Sequence, residues 1–218
     1  MKKHFLGICF LIFLVLYSCT STEEKLGTLQ ESDLNSELSQ IKEQLFLGIN
    51  QRENWKRHWE EVRGSTPLDP FEWVRTDSIE VLPMPEKNPI LSGDPLEKFQ
   101  FEHPEGKGIM DIYSSKVETR GDISNSFFNP DGEVVFYKAD GMKERLLFMG
   151  PSGLFEEGFW LSSSLFLVLG YFQEVEGYRP MAWIIDVEKH LLYQFQQESS
   201  VDSYEPFSYL KMKLTEER

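Results

Sequence analysis

The sequence predicts an α+β chain, mainly β, in which an N-terminal amphipathic helix precedes an antiparallel β-sandwich or partly open barrel. Three observations carry this. Leu34, Leu38, Ile41 and Leu45 recur at helical spacing. From residue 97 onward, short runs rich in Phe, Tyr, Val and Ile alternate with turn residues about every eight to twelve positions, as antiparallel hairpins do. Between these regions lie Pro67, Pro70, Pro83, Pro85, Pro89 and Pro95, where neither a helix nor a central strand can persist.

Taken in order, residues 1–18 have the make-up of a secretory signal. Lys2 and Lys3 are followed by an apolar run, Phe5 to Leu16, that is shorter than the roughly 20 residues a spanning helix needs. Leu16-Tyr17-Ser18-Cys19 then resembles the lipobox of bacterial lipoproteins, with an aliphatic residue three before the cysteine and a small one just before it. Tyr17 departs from the small residue usual between them. The resemblance covers only these first nineteen residues. It implies cleavage between Ser18 and Cys19, and fatty acyl chains (palmitate-type) on Cys19. Glu23-Glu24 near that cysteine resembles the export tags of surface lipoproteins of the Bacteroidetes group, and Thr20, which is not Asp, resembles lipoproteins passed to the outer membrane. The expected location is therefore the cell envelope, lipid-anchored at the outer membrane in its periplasmic or surface leaflet.

Charge and cysteine count narrow the function classes. The chain carries 22 basic and 36 acidic residues, a net charge of −14. Cleavage before Cys19 removes Lys2 and Lys3 and no acid, taking this to about −16. Such a body is repelled by nucleic acid, so no nucleic-acid partner is expected. Only Cys19 and Cys9 are present, and Cys9 lies in the segment to be removed. No disulfide, thiolate metal site or cysteine nucleophile is then available to the domain, which must rest on its core. Aromatic residues make up 14% of the chain and supply the material for one.

Residues 19–31 lack apolar periodicity and read as a flexible tether. Ser32 or Asp33 can cap a helix over 32–64, whose rhythm continues through Gly48, Arg52, Trp55, Trp59 and Val62. Gly48 and Arg52 are not apolar knobs, so a free coiled coil is not expected and an interruption near Gly48 is. Trp55 and Trp59, one turn apart, are the expected core anchors, and Gly64 ends the helix. Residues 65–96 form a proline-rich connector along the surface or a sheet edge, with one short strand at Ile79–Leu82.

The β domain is expected over 97–214. Its strands are predicted at Lys98–Glu102, Gly108–Tyr113, Lys116–Arg120, Glu133–Lys138, Arg145–Met149, Phe159–Leu161, Leu165–Phe172, Met181–Val187, Leu191–Gln196 and Phe207–Leu214. Asn129-Pro130-Asp131-Gly132, Asp140-Gly141 and Glu176-Gly177 supply turn chemistry. Met181–Val187 is almost continuously apolar and should be a central strand, with Leu165–Leu169 beside it. Leu210, Met212 and Leu214 should face inward from a last strand.

Catalytic signatures are missing from the sequence. His58, His103 and His190 show no metal-ligand spacing, and no nucleophile elbow, calcium loop or phosphate loop occurs. No catalytic residue, cofactor or metal is assigned. Glu156-Glu157 could offer paired carboxylates for glycoside chemistry, but neighbours on a regular strand point to opposite faces. The resulting reading is a lipid-anchored, non-enzymatic binding or accessory module, held to the membrane through Cys19 and taking a protein or glycan ligand. Tyr171, Phe172, Tyr178 and Tyr204, read as turn aromatics, are the candidate contacts, their alternative role being to cap the core. An envelope hydrolase using paired carboxylates, and an acidic immunity or inhibitor protein, are the other readings.

Overall fold

The structure, a computed structural model, describes residues 21–119, 123 and 126–216. Ser18, Cys19 and the whole signal segment therefore lie outside the described residues, as does the end of the strand expected over Lys116–Arg120. The chain divides into two units, residues 1–40 and 41–218. What is described of the first is helical. Helix α1 spans Ser21–Gln51 and so includes residues 21–31, where a tether was expected. Everything below concerns the second unit.

Helix α2 (Glu53–Val62) follows α1 after a break at Arg52, whose backbone leaves the helical region at φ −102° and ψ 58°. The interruption thus falls at Arg52 and not at Gly48, which stays helical. A Cβ on Gly48 would stand 2.6 Å from Leu161 Cδ2 and 2.8 Å from Leu167 Cδ2, so the missing side chain is what lets the helix lie on the sheet. Gly64, at φ 72°, closes α2 as expected, its N–H bonding Glu61 O at 2.9 Å.

The strands are β1 (Glu72–Ser78), β2 (Met84–Pro85), β3 (Phe101–Glu102), β4 (Gly108–Asp111), β5 (Val117–Glu118), β6 (Phe127–Phe128), β7 (Gly132–Lys138), β8 (Met142–Met149), β9 (Gly153–Trp160), β10 (Leu165–Glu174), β11 (Gly177–Asp186) and β12 (Leu191–Gln196). They form two open five-stranded antiparallel sheets, ordered β1-β12-β11-β10-β9 and β2-β8-β7-β4-β3, with a small β5-β6 ribbon. Neither sheet closes into a barrel. β11 sits at the centre of the first sheet with β10 beside it, as the apolar runs predicted. The connector supplies the edge strands β1 and β2, although the strand comes before Ile79 and not over Ile79–Leu82.

The first sheet has two covered faces. Leu167 and Tyr171 meet the helices, Tyr171 at 6.1 Å from the Trp59 ring. Ile184, opposite Leu167, and Ala182, opposite Leu169, share that face. Phe166 and Trp160 meet the second sheet through Phe101 at 5.4 Å and Phe136 at 5.8 Å. The result is a layer of helices on a sheet on a sheet. Trp55 and Trp59 are both fully buried.

One expected strand is wrong in kind. Residues 208–216 form helix α3 (Ser208–Glu216), not a strand. Leu210 and Leu214 do point inward, but with Tyr209 in place of Met212 as the third buried residue. A spacing of four satisfies both periodicities, and the alternation of Phe207, Tyr209 and Lys211 misled because Tyr209 and Lys213 share a helix face.

Candidate functional site

Two places concentrate unusual side chains, one on each face of the first sheet. On the helical face, β9 carries a bulge. Glu157 pairs with Leu169 while Phe155 pairs with Gly170, leaving Glu156 as the extra residue. The expectation that Glu156 and Glu157 face opposite ways is corrected by this bulge, since both carboxylates reach the helical layer. Gly170 makes it feasible, because a Cβ there would stand 2.0 Å from Leu154 O.

Glu156 is fully buried. Its Oε2 accepts the indole N–H groups of Trp55 and Trp59, each at 2.9 Å, and its Oε1 accepts the Tyr204 hydroxyl at 2.6 Å. Burial pushes its carboxyl up to about 7, against the pull of those three donors. Burial likewise raises the Tyr204 and Tyr209 hydroxyls far above the ordinary phenol range. Glu157 pairs with Lys213 Nζ at 2.6 Å and accepts the Tyr209 hydroxyl at 2.6 Å. His58 approaches Tyr204 Oη at 3.3 Å and Ser208 Oγ at 3.2 Å, and burial lowers its pKa while Glu61 pulls the other way. A cavity of about 480 Å³ opens beside Glu157, Tyr209 and Lys213, between them and Arg52. Glu156 does not line it. The Arg52 guanidinium lies 4.0 Å over the Phe159 ring, and its buried Nε has no hydrogen-bond partner among the described residues.

On the opposite face the two sheets part at one end and leave a trough of about 430 Å³. Its floor is one row of the first sheet, Gln194 beside Trp183, and the next, Gln196 beside Met181. Phe172 forms one lip and Phe148 of β8 the other, 41% and 57% exposed. Trp183 is only 5% exposed and packs edge-on against Phe155 at 5.3 Å. Its indole N–H and the side-chain amides of Gln194 and Gln196 take no protein partner among the described residues. The charged groups at the rim are already paired, Arg75 with Asp77 at 2.8 Å and Glu174 with Arg179 at 2.7 Å.

The four sequence candidates separate accordingly. Phe172 lines the trough. Tyr171 and Tyr204 are buried, not exposed turn residues, and with Tyr178 and Trp59 they form one aromatic cluster on the helical face. The histidines do not converge. His103 is buried between Phe136 and Trp160 with Nε2 2.7 Å from Ser163 O, and His190 stands in a turn 3.7 Å from Glu144. Among the described residues no group of His, Cys, Asp or Glu is arranged to hold a metal ion. Sequence reasoning missed Trp183, Gln194 and Gln196; the signal was an apolar central strand beside one with polar residues at alternate positions.

No family model, curated protein or solved structure matches the chain.

Proposed function

We propose that the protein is a lipid-anchored envelope lipoprotein whose β-rich domain binds a ligand in the trough and catalyses no reaction. The observation that carries the binding reading is the trough itself, a concave aromatic surface with neutral polar side chains along its floor. None of the polar groups of Trp183, Gln194 and Gln196 is a buried atom left unpaired, so they stand open to water, where a ligand can exchange water for its own hydrogen bonds. The carboxylate pair is engaged otherwise. Glu156 gives both oxygens to donors of the helical layer and has no opening to solvent, so it is unsuited to meet a substrate. Glu157 is held by Lys213 and Tyr209.

The anchor reading rests on Leu16-Tyr17-Ser18-Cys19. No helix among the described residues is long and apolar enough to cross a membrane. Two or three acyl chains on Cys19 would hold the protein stably, since a single chain binds only marginally. Host membranes are fractionated for wild type and Cys19→Ser. The variant is expected in the soluble fraction, with unchanged tryptophan fluorescence. A variant that stays with the membrane would overturn the anchor.

A further inference from the structure

We infer that the trough between the sheets binds a neutral saccharide; this deepens the proposed binding function and rests on it. The chemistry of the lining selects the ligand class. Phe172 and Phe148, the exposed lips, offer aromatic faces, which suit the apolar C–H face of a pyranose ring. Gln194 and Gln196 each carry one acceptor oxygen and two donor hydrogens, and the Trp183 indole adds a donor. Hydroxyl groups, which both donate and accept, satisfy such amides in either orientation.

The charges argue against other ligands. Among the described residues no unpaired charge lines the hollow, because Arg75 and Glu174 are tied to Asp77 and Arg179. An anionic glycan would meet a chain of net charge −14 without a free cation to receive it. An extended peptide adding to a sheet edge needs open main-chain groups. The floor strands β11 and β12 are paired on both sides and have none to give. A purely apolar ligand would leave both glutamine amides and the indole N–H desolvated and unpaired.

The test is an indole ¹⁵N–¹H titration of the full-length protein, held in a detergent without a sugar headgroup. Five tryptophans give five indole signals, and Trp55 and Trp59, bonded to Glu156 on the other face, serve as internal references. Neutral oligosaccharides of glucose, mannose, xylose and N-acetylglucosamine are added in turn, with a sulfated oligosaccharide and an apolar peptide as comparisons. At least one neutral oligosaccharide is expected to shift Trp183 saturably and leave Trp55 and Trp59 in place. Gln194→Ala and Phe172→Ala, both at solvent-accessible positions, should each weaken that binding roughly tenfold. A shift with the peptide but with no neutral saccharide overturns the ligand class and leaves the trough as a binding site. No shift with any probe overturns both. A saccharide response that survives both substitutions places the sugar elsewhere and also overturns the inference.

Discussion

Replacing Glu156 with glutamine is expected to flatten the protein's stability against pH. In the folded protein burial raises the Glu156 carboxyl from an ordinary 4.5 to about 7. The folded state therefore holds a proton that the unfolded chain releases between those two values. Stability falls as pH rises through this window and levels off above the folded pKa. Each unit of separation is worth about 1.4 kcal/mol, so the full loss is about 3 kcal/mol. The glutamine of Glu156→Gln would mimic the protonated acid. Its carbonyl oxygen can accept both indole N–H groups, and its amide can donate to Tyr204 Oη, which then donates toward His58 Nε2, 3.3 Å away. His58 acts in the opposite sense, because a lowered histidine pKa costs stability as pH falls. The useful quantity is therefore the difference between wild type and Glu156→Gln, from urea midpoints read by tryptophan fluorescence at half-unit steps from pH 4.5 to 8.5. The variant should gain on wild type by about 3 kcal/mol across that range. A difference that stays constant with pH would refute the buried, proton-holding carboxyl.

Lys213→Met should destabilise the protein by about 3 kcal/mol in urea unfolding, because it leaves the buried Glu157 without its cation. The double variant Lys213→Met/Glu157→Gln should recover part of that loss, and a single variant as stable as wild type would show that the pair is not formed. Gly170→Ala should cost about 3 kcal/mol or more, since the new Cβ meets main-chain atoms of Leu154 at the bulge and no flexible side chain can yield. A cost below about 1 kcal/mol would mean the bulge is misplaced.

The helix and the hairpins were legible because each has a single periodicity. Trp55 and Trp59, one turn apart, could only be core on a helix carrying so many charges. Met181–Asp186 could only be central, having no polar face to give to water. Residues 208–216 were not legible, since Leu210 and Leu214 fit strand and helix alike and the deciding residue, Tyr209, finds its partner in Glu157 far along the chain. Nor was the face of each β10 aromatic. Tyr171 and Phe172 are neighbours, and only the register with β11 and β9 says which enters the aromatic cluster and which lines the trough. The bulge had one local trace, Gly170 inside an apolar strand. Its consequence, two adjacent glutamates on one face, depends on pairing that no local pattern records. The trough was hidden for the same reason, since its lining comes from β1, β8, β9, β10, β11 and β12.

We propose an envelope protein anchored by lipid on Cys19, with the β domain free to bind at the trough. Intact mass of the protein purified from its native membrane tests the anchor most directly. The expected mass is that of residues 19–218 with two or three acyl chains attached. A full-length chain of 218 residues, or a shorter one without lipid, would contradict it.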